Sequence, residues 1–329
     1  MKLQIVEEGH TMFEFVDGHA DTITVAMGRG LDMYKNDLHI DFSRLALFTN
    51  PVQVFTVFCA DKYLDDAYGY ANAAIDYFEK QLAAHADIIA LACTFEDIEK
   101  NASENKASAV LALEGGEPLA GNIGNLDHFY RRGVRLITLT WNRENDLGYG
   151  AMSGLTGGLK PFGVECVKRM DELGVIIDVS HLNEAGFWDV DRLATRPYIA
   201  SHSNAHAVTP VPRNLKDDQI GALVECGGVI GINMCPPFLA ESGNADVNDI
   251  FRHIKYFIDR GAAGAVGLGC DLDGIDSMPE GMTDVTSLKG LARSLAAEFG
   301  ADAANAVMFG NFSGFFKKFF SCVYTPAIN

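Results

Sequence analysis

The sequence is short of basic residues, with 26 Lys and Arg against 44 Asp and Glu, which gives a formal net charge of −18. Nucleic acid and anionic membrane surfaces repel such a chain. The chain also lacks any run approaching the ~20 apolar residues that a membrane span needs, and residues 1–15 contain no apolar signal core. We therefore expect a cytoplasmic protein that binds neither nucleic acid nor membrane.

Paired cysteines are absent too. The seven cysteines are scattered along the chain, odd in number, and never form C-x-x-C. This pattern argues against a disulfide framework and against a thiolate zinc site, and favours reduced thiols. Low-complexity segments, long linkers and internal repeats are also missing. Because α/β barrels of this length occur as single units, we expect one domain over residues 1–329.

What does recur is a short apolar run followed by a segment with helical spacing. Eight such runs are found, at residues 14–18, 52–58, 108–113, 134–140, 175–179, 198–201, 229–234 and 265–269. Continuous apolar runs are typical of strands covered on both faces. Helical segments between them include residues 65–90, 126–132, 161–173, 217–226 and 248–260.

This alternation predicts an α/β fold, a (β/α)8 TIM barrel, with a doubly wound open sheet as the alternative. Residues suited to catalysis follow at least six different predicted strands. A doubly wound sheet would concentrate them at one switch point, so the barrel is favoured.

Imidazole and carboxylate side chains follow four of the predicted strands. His19 and Asp21 follow the first strand, and residues two apart in an extended segment point to the same side. Glu114 follows the third strand, His181 the fifth and His202 the sixth. All five would face the C-terminal end of the barrel, where barrel enzymes keep their active sites. Nitrogen and oxygen ligands without thiolate favour zinc, with manganese, iron and cobalt as alternatives.

Two aspartates follow the eighth strand, in the stretch GLGCDLDG. Asp271 comes directly after the strand and could accept a proton from a metal-bound water. Asp273 would point elsewhere or cap a turn, and a turn or cap is also the alternative for Asp271 itself.

With these residues assembled, the chain resembles the renal or membrane dipeptidase family, metallopeptidase family M19 of the amidohydrolase superfamily. The resemblance runs from Phe15 to the segment that ends at Phe312. It rests on the stretches DGHAD, LALEGG, RRGVRLITLTWN, GLKPFG, LGVIIDVSH, IASHSNAHAV, PRNLKD and VGLGCDLDG.

The resemblance implies a role for each matching position. His19 and Asp21 would ligate one zinc ion, His181 and His202 a second, and Glu114 would bridge the two. Arg213 would contact the substrate carboxylate, for which a guanidinium fork is suited. Asp271 would stand at the reacting centre, so Asp271 and Glu114 are the predicted catalytic residues.

One position departs from the family. Mammalian members carry a histidine after the fourth strand, where this chain has Trp141. Indole donates one N–H but carries no positive charge. Trp141 and Asn142 are therefore predicted to line the substrate site; Asn142, Arg143 or Asn145 could supply a replacement donor, or only shape the loop. The remaining histidines match no ligand position; they are His10, His39, His85, His128, His206 and His253.

The predicted reaction is hydrolysis of a dipeptide by hydroxide activated between two zinc ions. Trp141 keeps open a related amidohydrolase acting on N-acyl amino acids, lactones or β-lactams. A protein that binds metal without catalysis is a second alternative, which the complete ligand set disfavours. The resemblance to this family also implies a homodimer.

Overall fold

The computed structural model of the protein describes residues 13–321; His10 and Cys322 lie outside the described residues. The strands are β1 Val16–Asp17, β2 Val52–Phe58, β3 Ile89–Leu91, β4 Ala107–Glu114, β5 Val134–Thr138, β6 Ile176–Asp178, β7 Ile230–Ile232 and β8 Val266–Leu268. The α-helices are α1 Thr22–Arg29, α2 Phe42–Leu45, α3 Ala67–Ala84, α4 Phe95–Ser103, α5 Ile123–Arg131, α6 Pro161–Leu173, α7 Glu184–Leu193, α8 Asp217–Glu225, α9 Pro236–Leu239, α10 Val247–Asp259, α11 Leu288–Phe299, α12 Ala301–Asn305 and α13 Asn311–Ser321.

The strands are parallel and form one sheet in the order β6–β5–β4–β2–β1–β8–β7, with β3 paired to β4 outside this path. The gap between β6 and β7 is crossed by two single parallel bridges, from Asp178 to Ile199 and from Ala200 to Ile230. The sheet thus curls into a TIM-type barrel, and the predicted fold class is confirmed. The prediction of a full sixth strand at residues 198–201 is wrong. After the bridges at Ile199 and Ala200, the N–H of Ser201 donates to the Asp178 side chain at 2.8 Å. It therefore does not continue the backbone pairing with β6.

A second correction concerns the predicted helix at residues 65–90. The helix α3 ends at Ala84, and Ile89–Leu91 forms the short strand β3. The apolar spacing continues through this stretch, but Ile89 is fully buried and pairs with Ala107 of β4. A β-branched residue buried beside a strand is stabilised better by strand pairing than by another helical turn. Helix α6 begins at Pro161 and ends before Gly174, as predicted.

The two ends of the barrel are built differently. The apolar cluster inside the sheet includes the first residues of β1, β2 and β6, together with Phe312 and Phe316 of α13. A Cβ added to Gly267 would lie 2.5 Å from the Phe312 ring, so that ring needs a glycine beside it. Helix α13 therefore closes the end where the strands begin, which leaves the opposite end open to a site.

Two expectations from composition can be compared with the described residues. Six cysteines lie in this part of the chain and all are free, with Cys59, Cys166 and Cys270 buried. Between residues 13 and 321, no helix combines the length and the apolar character that crossing a membrane requires.

Candidate metal centre

The five predicted ligands meet at the ends of the strands, and all five are buried. The two oxygens of Glu114, the last residue of β4, face different partners. Its Oε2 lies 3.7 Å from His19 Nε2, whereas its Oε1 lies 3.0 Å from His181 Nε2 and 3.4 Å from His202 Nε2. Asp21 Oδ2 lies 3.7 Å from His19 Nε2 on the other side. Glu114 therefore stands between one histidine–aspartate pair and one pair of histidines.

The hydrogen bonds of the two histidines suit a cation. His181 Nδ1 lies 2.8 Å from the Asn142 amide oxygen, which only accepts, so His181 carries its proton on Nδ1. His202 Nδ1 lies 2.6 Å from Ser201 Oγ. If His202 also carries its proton on Nδ1, two lone pairs face each other, because the two Nε2 atoms are 2.9 Å apart. Such an arrangement is unfavourable unless a cation lies between them.

Two further atoms lack partners. His19 Nε2 and Asp21 Oδ1 are buried without a hydrogen bond, which costs free energy unless a ligand satisfies them. Among the described residues, two sets of ligand atoms lie within 4.8 Å of one another; they are His19, Glu114 and His202, and His19, Asp21 and Asp271. Imidazole and carboxylate without thiolate fit a divalent transition metal.

Burial and neighbouring charges shift the pKa values of several ionisable groups at the site. Burial raises the pKa of Glu114 to about 7 and that of Asp271 to about 6. Burial disfavours the charged imidazole of His19, but Glu114 and Asp21 outweigh it and hold the His19 pKa well above its ordinary value. Burial, together with Arg213 and neighbouring histidines, lowers the pKa of His181 and His202 well below the ordinary value. Metal binding at such a site is expected to displace protons.

Behind His202 lies a buried carboxylate, Asp178, the last residue of β6. Its Oδ2 accepts from Ser201 Oγ at 2.6 Å and from Thr138 Oγ1 at 2.5 Å, and its Oδ1 accepts from the N–H groups of Ser180 and Ser201. Because the Ser201 hydroxyl proton goes to Asp178, the Ser201 oxygen is free to accept from His202 Nδ1. These hydrogen bonds, from Asp178 through Ser201 to His202, keep the Nε2 lone pair of His202 directed into the site. Asp178 and Ser201 were not predicted, although a carboxylate inside the apolar run VIIDV was a signal.

Asp271 and Asp273 point in different directions. Asp271 Oδ1 lies 4.0 Å from His19 Nε2, and its Oδ2 accepts from Asn233 Nδ2 at 2.9 Å. Asp273 instead accepts from Thr22 Oγ1 and from the His39 N–H, both at 2.6 Å. The backbone at His181 and Asp271 is left-handed, with φ of 65° and 59°. Such strain in residues other than glycine is common at functional sites.

Besides Asp271, three residues are predicted to bind the substrate, and they lie around this centre. Arg213 is 3% exposed and donates to Ser203 Oγ and to the His202 carbonyl, both at 2.7 Å, while its buried Nε has no partner. The Trp141 ring centre lies 6.3 Å from that of His181 and 5.0 Å from that of Phe58. The Asn142 oxygen contacts His181, so this residue orients a predicted ligand.

Four of the other five described histidines lie close to a polar group of another residue. His39, His85 and His128 lie close to Asp273, Asp32 and Asn72 respectively. His253 is fully buried and accepts from the Ala205 N–H at 3.1 Å. His206 lines a cavity beside Arg213.

A parallel barrel that buries imidazole and carboxylate ligand atoms at the C-terminal ends of its strands is the architecture of a metal-dependent hydrolase. The sequence profile of the membrane dipeptidase family, peptidase family M19, matches residues 4–319. The chain belongs to this family of metallodipeptidases.

Relatives support the assignment. An uncharacterized protein from the pqqA 5′ region of Klebsiella pneumoniae is 39% identical over 229 residues, which is 66% of this chain and 84% of that protein. An uncharacterized dipeptidase of Schizosaccharomyces pombe is 34% identical over 201 residues, which is 59% of this chain and 48% of that protein.

Solved structures agree with the fold. The dipeptidase AC, a metallopeptidase of family M19, superposes with a TM-score of 0.88 at 26% identity, covering 94% of this chain and all of that one. A Rhodobacter sphaeroides metallopeptidase, liganded with a phosphinate mimic of the dipeptide L-Ala-D-Ala, gives a TM-score of 0.85 at 25% identity. It covers 93% of this chain and 99% of that one.

Proposed function

We propose that this metallopeptidase hydrolyses dipeptides with two zinc ions. His19 and Asp21 would hold one ion, His181 and His202 the other, and Glu114 would bridge them. The observation that carries the proposal is the placement of Glu114, whose two oxygens face His19 on one side and the two close Nε2 atoms on the other. The unpartnered His19 Nε2 and Asp21 Oδ1 support the proposed metal site at His19 and Asp21.

When bound, the metal ions would lower the pKa of a water molecule and polarise the scissile carbonyl. Asp271 would accept the proton of the attacking water and pass it to the leaving amine as the C–N bond breaks. Asn233 holds one oxygen of Asp271 at 2.9 Å and leaves the other facing the site. Asp271 is thereby positioned for proton transfer.

Arg213 would bind the C-terminal carboxylate of the dipeptide. A guanidinium has five N–H donors, and Arg213 uses two of them, on Ser203 and the His202 carbonyl. The remaining donors can form charge-assisted bonds with a carboxylate. A peptide whose carboxylate lies farther along the chain would miss this contact, so longer peptides should be poor substrates.

Trp141 would cover the substrate at the rim of the site beside Phe58, with an indole N–H as its single donor. Asn142 would act through His181, whose ring it orients. The acid excess and the free thiols of the described cysteines are consistent with the reducing cytoplasm, where we place the enzyme. A homodimer stays a prediction, which sedimentation analysis would check.

Trp141 favours one alternative, a related amidohydrolase that acts on N-acyl amino acids, lactones or β-lactams. The deciding experiment is a panel of L,L- and L,D-dipeptides beside these compounds, assayed with zinc-loaded protein. We expect the highest kcat/KM on a dipeptide. Absence of dipeptide turnover with zinc present would contradict the proposal.

A further inference from the structure

A cavity of 590 Å³ lies beside the metal centre. His181, Ser203 and Arg213 line it, and so do Glu184 and Lys216. The cavity is within the size range of small-molecule sites. If Arg213 holds the C-terminal carboxylate, as proposed above, the cavity receives the side chain of the C-terminal residue. The inference below therefore rests on the proposed function.

The charge of this cavity is opposite to that of the chain. The chain carries −18, yet the cavity lining combines two permanent cations, Arg213 and Lys216, with the one carboxylate Glu184. The N-terminus of α7 also lines it, through Glu184 and the preceding Asn183, and the N-terminus of a helix carries partial positive charge. Arg213 Nε is buried and has no partner. These features favour an anionic group.

Lys216 occupies an unusual position. It is the residue directly before α8, where Ser, Thr, Asp and Asn are preferred and a cation is disfavoured by the helix dipole. Residues that break a local rule in this way often serve function.

Lys216 is available to a substrate. Its Nζ lies 2.6 Å from Glu184 Oε2, but both side chains are 48% exposed, and an exposed ion pair contributes little to stability. Glu184 is in the first turn of α7, where its carboxylate is stabilised without Lys216. Lys216 can therefore exchange Glu184 for another carboxylate at little cost. A basic side chain would meet the repulsion of both Arg213 and Lys216.

We propose that Lys216 is a specificity-determining residue and that the enzyme prefers dipeptides whose C-terminal residue carries an acidic side chain. The α-carboxylate binds Arg213 and the side-chain carboxylate binds Lys216. Both carboxylates lie on the same residue of the substrate, so the N-terminal residue is left free to vary.

The test compares kcat/KM for L-Ala dipeptides that end in Asp, Asn, Glu, Gln, Ala or Lys, each with the C-terminal residue in L and D form. Asp and Asn, like Glu and Gln, differ in charge but hardly in size. We expect zinc-loaded wild-type enzyme to favour the acid over its amide by about tenfold at low salt, and less at high salt. The Lys substrate should be the poorest.

Variants assign the preference to one side chain. Lys216→Met should bring the acid-to-amide ratio close to one, Lys216→Arg should retain it, and Glu184→Gln should raise it. Lys255→Met is the matched control, because Lys255 pairs with Asp259 on the exposed face of α10, and its ratio should equal that of the wild type. Equal rates on acid and amide in the wild type, or an unchanged ratio in Lys216→Met, would overturn the inference. Failure to hydrolyse any member of the series would instead contradict the proposed function.

Discussion

The two ends of the barrel are made from the same strands but differ in the residues that they bury. Where the strands begin, Val16, Val52 and Ile176 belong to one apolar cluster with Phe312 and Phe316. Where they end, His19, Asp21 and Glu114 are equally buried, yet two of their atoms have no partner. The first end contributes apolar packing to the fold, whereas the second buries candidate metal ligands whose atoms are left unsatisfied. Changes at one end should therefore be separable from changes at the other.

The largest effect is expected at Glu114. Glu114→Gln keeps the size of the side chain but removes the negative charge between His19 on one side and His181 and His202 on the other. We expect kcat/KM for a dipeptide to fall by about 10⁴, because the metal ions supply several kcal/mol of transition-state stabilisation. Zinc content, measured by mass spectrometry of the metal, should fall below two ions per chain. Glu104→Gln, in an exposed pair with Lys106, is the control, and two retained zinc ions with full activity in Glu114→Gln would refute its role.

The opposite result is expected at the closed end. Phe312→Ala should lower the free energy of unfolding by about 3–5 kcal/mol, because it leaves a cavity in the apolar cluster. The folded variant should retain its KM and its zinc stoichiometry. Urea unfolding at a fixed free zinc concentration measures the first quantity and steady-state kinetics the second. A variant with unchanged stability, or one whose KM rises, would erase the difference between the two ends.

Asp271 and Asp273 offer a matched comparison within the open end. Both have left-handed backbones, with φ of 59° and 66°, and asparagine tolerates this conformation. Asp271→Asn should lower kcat by about 10² to 10³, as expected for loss of a general base. Asp273→Asn should act mainly on stability, since Asp273 holds Thr22 and His39. Equal losses of kcat in the two variants would show that Asp271 has no special role.

The smallest effect is expected at Asp178, which lies behind the predicted ligand His202. In Asp178→Asn the backbone N–H groups of Ser180 and Ser201 should retain the one amide oxygen, so an NH2 group replaces the oxygen that accepts from the Ser201 hydroxyl. The proton on His202 is then no longer fixed at Nδ1. Zinc affinity, measured by competition with a chelator, should fall by about 10- to 100-fold. The ¹⁵N shifts of the His202 ring should show a change of tautomer.

Asp171→Asn is the control for this variant. Asp171 is also buried and accepts from Thr195, but it lies on α6. Its loss should reduce stability and leave zinc affinity unchanged. If Asp178→Asn behaves in the same way, Asp178 has only a structural role.

The sequence was sufficient to place the five predicted ligands at one end of a barrel, because they follow four separate apolar runs and parallel strands end together. It was not sufficient to place β3, since the apolar spacing of α3 continues into Ile89 and only pairing with β4 stops the helix. Segment 198–201 failed as a strand for a similar reason, the capture of the Ser201 N–H by a side chain.

Tertiary contacts also explain what the sequence did not reveal at the site. The bonds from Asp178 to Ser201 and from Asn142 to His181 join residues on different strands or loops. Nothing in their local patterns specifies these partners. The role proposed for Lys216 could not be predicted from the sequence, because it depends on a cavity formed with α7.

The central claim is that Glu114 bridges two zinc ions at the open end of the barrel. Crystals grown with zinc, and measured on both sides of the zinc absorption edge, test it most directly. The account predicts two anomalous peaks, one beside His19 and Asp21, the other beside His181 and His202, with Glu114 contacting both. A single peak at full zinc occupancy, or peaks away from Glu114, would contradict it.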